Sequence, residues 1–127
     1  MVVHKTFSDF VLFLYLHIAY SDKEFHSTER TVILDKMLHL YPGDGNREKK
    51  LDEADAAYRA MDKSNVLQLI RDTFEHFKQV KFAQKYKVYT DMYDIIRADG
   101  RVHEAEQNRL NELKEIIDVD AQARGKK

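Results

Sequence analysis

Hydrophobic positions along this chain recur every three to four residues rather than every two. Phe7, Val11, Leu14 and Ile18 repeat at helical spacing, and Phe10, Leu12, Phe13 and Leu16 fill the gaps between them. The first segment, about Ser8 to Tyr20 with Ser8 as its cap, is therefore apolar nearly all round, which marks a helix packed on several sides. An amphipathic helix from Ser27 to about Leu40 buries Ile33, Met37 and Leu40 and exposes Glu29, Arg30 and Lys36. The run Tyr41-Pro-Gly-Asp-Gly-Asn46 stops it with the only proline and two of the four glycines in the chain. A third helix aligns Leu51, Ala54, Tyr58 and Met61. Asp62-Lys-Ser-Asn65 then caps a fourth, which turns Val66, Leu69, Ile70, Phe74 and Phe77 inward.

The spacing slips by a residue between Phe77 and Phe82, predicting a break near Val80. Helix five runs to Ala98 with Phe82, Tyr86, Tyr89, Tyr93 and Ile96 as core positions, and helix six carries Leu110, Leu113, Ile116 and Ile117. Residues 119–127 read as a frayed end and a mobile basic tail. No segment alternates over a strand's length. The expected fold is all-α, one compact bundle of about six helices forming a single domain over 1–127.

Two of these helix pairs are joined by the same stretch. Ile18-Ala-Tyr-Ser-Asp22-Lys-Glu-Phe25-His26-Ser-Thr-Glu29 returns 77 residues later as Ile95-Ile-Arg-Ala-Asp99-Gly-Arg-Val102-His103-Glu-Ala-Glu106. His-x-x-Glu has capping-box spacing, in which the Glu reaches back to the backbone N–H of the cap residue. Phe25 and Val102, just before the cap, are placed as hydrophobic staples. Asp22 and Asp99 follow the last turn of the preceding helix, where free carbonyls carry partial negative charge and an anion is unfavourable by about 0.3 to 1 kcal/mol. An Asx-turn can offset this; so can a cation gathered by the Asp, loop carbonyls and the Glu of the next helix. If helices one and five pack side by side with their loops at one end, the four acids pool and their repulsion strengthens the demand for a cation. The candidate metal ligands are Asp22, Glu29, Asp99 and Glu106, with His26 and His103 next in line. Oxygen-rich ligands favour calcium, with magnesium, manganese or zinc as alternatives.

Charge and composition narrow the remaining classes. A net charge of −1 argues against nucleic acid as a partner. The chain has no cysteine, which removes disulfides, thiolate metal sites and a cysteine nucleophile, and is consistent with a reducing cytoplasm. The first residues do not form a secretory signal, and the apolar run Phe10 to Tyr20 is about half of what spans a bilayer. Phosphate loops, nucleophile elbows and zinc-protease helices are absent, so the chain is expected not to be an enzyme, a small hydrolase being the remote alternative. His17, His39 and His76 lie singly on helices and read as structural or surface residues. Lys78, Lys81, Lys85 and Lys87 cluster among aromatic residues; they form either a solvated face or a surface for an anionic membrane or an acidic partner.

Asp-Gly-x-Val-His-x-x-Glu before an amphipathic helix, with a degenerate copy upstream, resembles the TerB-like family of tellurite-resistance-associated helical domains. The resemblance spans roughly Phe7 to Ile117 and departs from the family pattern at Lys23, where a Gly is expected. It implies a bacterial, all-helical, non-catalytic binding module linked to metal or chemical stress, in which Asp22, Glu29, Asp99 and Glu106 take a divalent cation. It further implies a protein partner, a membrane-associated complex and a cytoplasmic location peripheral to the inner membrane. The alternative is a metal-free protein-interaction scaffold that uses the acidic loops or the lysine face.

Overall fold

The computed structural model describes residues 6–21, 24–43, 45–98, 100 and 102–125, with side chains as far as Val119. The described residues form six helices and no strand: α1 (Phe7–Ala19), α2 (Ser27–Leu40), α3 (Arg47–Ala60), α4 (Val66–His76), α5 (Phe82–Ile96) and α6 (Glu104–Gly125).

Helix α1 is the axis of the fold. Every residue from Phe10 to Ala19 is buried, as its unbroken apolar run requires. It starts one residue before the expected position. Thr6 is the cap, accepting from the Asp9 N–H at 3.2 Å, and Ser8, already inside the helix, instead donates to the Leu40 carbonyl at 3.0 Å. That bond ties the start of α1 to the end of α2.

Helices α2, α3, α5 and α6 pack around α1; α5 also touches α2 and α6, and α3 also lies on α2. Helix α4 rests on α6 and reaches α1 through rings: Phe74 meets Phe10 at 5.0 Å and Phe77 meets Phe7 at 5.4 Å, both edge-on. The helix contacts thus keep their pattern when the α1–α2 hairpin is exchanged with the α5–α6 hairpin, while α3 and α4 are extra cover. The core is Phe10 to Leu16 and Ile18 of α1, Ile33 and Met37 of α2, Leu51 and Tyr58 of α3, Ile70 and Phe74 of α4, Met92 and Ile95 of α5, and Leu110, Leu113, Ile116 and Ile117 of α6. Each such side chain contributes roughly 1.5 to 3 kcal/mol by leaving water.

Polar atoms inside this shell are paired. Asp91 accepts from the Tyr15 hydroxyl at 2.9 Å, from Lys36 Nζ at 3.1 Å and from Lys87 Nζ at 2.9 Å, and Lys36 also reaches Asp94 at 3.0 Å. Burial alone would raise the Asp91 carboxyl, but the bonds from Lys87, Lys36 and Tyr15 hold it below the usual carboxylate range. One side chain thus clasps α1, α2 and α5.

Three further expectations from the sequence are corrected. Glu29, expected on the exposed side of α2, is 3% exposed, because it turns back onto its own cap. Helix α6 continues to Gly125, where an end near Val119 was expected. Asp-Ala-Gln-Ala-Arg contains no breaker to end it sooner. The aromatic ladder of α5 is not core: Phe82, Tyr86 and Tyr93 are 46%, 39% and 36% exposed, and Tyr89 is half-buried. The buried side of α5 is Lys85, Val88, Asp91, Met92, Ile95 and Ile96. Two polar residues occupy positions that a pattern of apolar letters would assign to the aromatics.

Candidate functional site: a carboxyl pair between twin elbows

The two repeated stretches fold into the same joint. At the first, the N–H of Tyr20 donates to Leu16 and that of Ser21 to Ile18; 77 residues on, Arg97 donates to Tyr93 and Ala98 to Ile95. Past the bend, Arg30 donates to the His26 carbonyl at 3.0 Å and Gln107 to the His103 carbonyl at 2.9 Å. The glutamate arm of the capping box closes in both: the His26 N–H donates to Glu29 Oε1 at 2.9 Å, and the His103 N–H to Glu106 Oε1 at 3.1 Å. In the second elbow Gly100 takes φ +89°, a left-handed turn that glycine adopts without strain. Asp22, Lys23 and Asp99 lie outside the described residues, so the predicted aspartate ligands and the Lys23 departure are not placed.

The capping boxes do more than start two helices. They bury Glu29 and Glu106, 3% and 1% exposed, near enough that Glu106 acts on the Glu29 carboxyl. A neighbouring carboxyl and the loss of water both disfavour a charge on Glu29. Burial chiefly, then the bond to Glu106 and its charge, push the Glu29 carboxyl up to about 8, against the lowering effect of the His26 N–H and imidazole. At neutral pH the Glu29 carboxyl therefore keeps its proton. Each glutamate spends its Oε1 on its own elbow.

The pair lies at the ends of the bundle's central helices. Arg109 of α6 donates to the His17 carbonyl near the end of α1 at 2.9 Å, fixing the second hairpin to the first. His17 is 2% exposed, its Nδ1 is 2.8 Å from the Tyr58 hydroxyl, and burial with the charges of Arg109 and Lys63 pushes its pKa down to about 3. It is a neutral structural histidine, in line with its place in an apolar run. His26 and His103 are half-buried at the caps.

As a donor set the pair suits a hard cation, since carboxylate oxygens are its natural ligands. Two carboxyls are fewer than the six to eight oxygens typical of calcium, and among the described residues no group of three or more His, Cys, Asp or Glu side chains is gathered.

The four predicted surface lysines do not share a face. Lys78 and Lys81 are exposed, Lys87 is bonded to Asp91, and Lys85 is 1% exposed with its Nζ 5.8 Å from the centre of the Phe74 ring. Periodicity alone did not mark Lys85 as an inward position, because lysine is rarely buried.

A six-helix all-α bundle with two equivalent helix–elbow–helix hairpins, joined by the glutamates of their capping boxes, is a duplicated hairpin domain. A family model described as "Tellurite resistance protein TerB" matches residues 9–126, nearly the whole chain, and the chain belongs to that family. No curated protein matches the sequence. No solved structure matches it either. No helix among the described residues is long and apolar enough to cross a membrane.

Proposed function

We propose that this TerB-family protein is a non-catalytic, cation-responsive binding module. Its two elbows hold one divalent ion, calcium first, through Glu29 and Glu106, with Asp22 and Asp99 completing the ligand set and His26 and His103 in reserve. The observation that carries this reading is the burial of Glu29 and Glu106 at two helix N-termini, with the Glu29 carboxyl pushed up to about 8. A cation would replace the Glu29 proton and draw in the loop aspartates. Binding would then release a proton and strengthen as pH rises. Family membership supports a link to metal or chemical stress of the tellurite-resistance type. On this reading the protein works in the bacterial cytoplasm with a protein partner, in a complex at the inner membrane.

Thermal melts with chelator and with calcium, magnesium, manganese or zinc test the proposal. An ion at about 100 times its dissociation constant adds about 2.7 kcal/mol, a shift of several degrees. Glu29→Gln with Glu106→Gln, and separately Asp22→Asn with Asp99→Asn, should abolish the shift and leave the ion-free fold intact. If no ion moves the wild-type midpoint, the cation reading fails and the metal-free scaffold takes its place.

A further inference from the structure

Helices α1 and α5 are twins in sequence position but not in cover. Asp9, Leu12 and Leu16 of α1 correspond by the 77-residue offset to Tyr86, Tyr89 and Tyr93 of α5. On α1 this face is roofed by α3: Leu12 and Leu16 are 2% and 1% exposed, and they line a cavity of about 570 Å³ together with Ala54, Ala57 and Tyr58 of α3. On α5 the matching face continues through Phe82 as an aromatic stripe of spacing four, three, four, and no described helix covers it. That is the spacing of a seam along which a second helix packs.

The way α3 is held tells what such a helix should carry. Besides Arg47, which donates to the Leu34 carbonyl at 2.7 Å, and Tyr58, bonded to His17, two of its carboxylates make polar contacts: Asp52 takes Arg30 of α2 at 2.8 Å, and Asp55 accepts from the Tyr20 hydroxyl, at the end of α1, at 2.6 Å. The position equivalent to Tyr20 is Arg97, exposed, with its guanidinium 5.1 Å from the Tyr93 ring centre. Lys81 stands at the other end of the stripe, and Lys114 of α6 lies 5.7 Å from the Tyr89 ring centre. The nearby acids are engaged: Asp94 by Lys36 at 3.0 Å and Asp118 by Lys114 at 2.9 Å.

We propose that the α5 stripe, Phe82, Tyr86, Tyr89 and Tyr93 flanked by Lys81 and Arg97, is a docking surface for an acidic amphipathic helix of a partner protein, seated as α3 is seated on α1. Apolar residues of that helix cover the rings, and its carboxylates meet the tyrosine hydroxyls and the flanking cations. A second copy of this chain fits poorly, because an antiparallel pairing of two stripes brings Lys81 against Arg97. The exposed area of the four rings, about 300 Å² from about 200 Å² per aromatic side chain, is also well below the roughly 800 Å² per partner of a standard interface. The surface meets the second elbow at Arg97, but it does not depend on the reading of Glu29 and Glu106.

The test uses the whole chain and two labelled 21-residue probes. Both have Leu at the seam positions of three heptads; one carries Glu and the other Lys at the remaining helix-forming positions. Fluorescence anisotropy should show the acidic probe binding at least tenfold tighter than the basic one. Tyr86→Ser with Tyr93→Ser should weaken it at least tenfold while the chain stays folded by circular dichroism, since both rings reach the surface. Lys81→Glu with Arg97→Glu should reverse the preference toward the basic probe. Four outcomes overturn the proposal: no binding of either probe, equal binding of both, binding that ignores the stripe substitutions, or capture of the stripe by something else. The last would appear as a dimer in sedimentation, or as pelleting with phosphatidylglycerol vesicles, that the Tyr86 and Tyr93 substitutions abolish while peptide binding is absent.

Discussion

The two hairpins of this bundle agree at their joints and differ along their shafts. Both elbows repeat the same backbone hydrogen bonds and the same glutamate-to-cap bond, to within 0.2 Å for the latter. The helices leading into them share much less. Leu14 of α1, 1% exposed, corresponds to Asp91 of α5, which binds Tyr15, Lys36 and Lys87; Leu16, 1% exposed, corresponds to Tyr93, 36% exposed. The reason is local. A helix end has unpaired backbone groups that must be satisfied the same way wherever the joint is used. A helix side only has to match its surroundings. Helix α1 is enclosed by four others, whereas α5 has one side to solvent.

Substitution at matched positions on the two shafts should break this comparison most sharply. Leu16→Ala opens a void in the core and is expected to cost about 2 to 5 kcal/mol in urea unfolding, whereas Tyr93→Ala at the surface should cost within about 1 kcal/mol. Equal losses would mean that the α5 stripe is as enclosed as α1.

The joints can be separated from the shafts by pH, with the protein kept ion-free by chelator. Glu29 holds its proton to about pH 8 when folded and releases it near 4.5 when unfolded, so the folded state binds more protons across that window and stability falls as pH rises through it. His17 does the opposite. Folded it resists protonation to about pH 3, unfolded it protonates near 6.5, and stability falls as pH drops through that interval. Between 4.5 and 6.5 the two slopes oppose each other. Urea midpoints should therefore plateau there and decline on either side by up to about 1.4 kcal/mol per pH unit. Glu29→Gln should flatten the alkaline decline and His17→Gln the acid one. An unchanged alkaline limb in Glu29→Gln would exclude the proton on Glu29.

The smallest effect sharpens the likeness of the joints. Gly100→Ala places a side chain at φ +89° where its Cβ meets open space, so only backbone strain is at stake. The expected loss is about 1 kcal/mol by thermal melt, with the fold retained. A neutral result would show that the second elbow tolerates an L-residue at the place where the first carries Lys23.

Much of this was legible in the letters, because the physics involved is short-range. Helical periodicity, the Pro-Gly break after Tyr41, the slip near Val80 and the twin His-x-x-Glu spacing all act within a few residues, and the helices formed close to where these signals put them. The burial of α1 was legible for the same reason, since a segment apolar on every face has nowhere else to go. What the linear order could not decide was which neighbour each face would receive. Lys85 and Asp91 are buried while Phe82, Tyr86 and Tyr93 meet solvent, a reversal of the usual preference. It follows from α2 bringing Lys36 to Asp91, 55 residues away, and from no helix arriving over the aromatic side. The meeting of Glu29 with Glu106 is of the same kind. Each glutamate was recognisable alone as part of a cap, but the Glu29 carboxyl is pushed up only when packing buries it and brings Glu106 near, and that packing is a property of the assembled bundle.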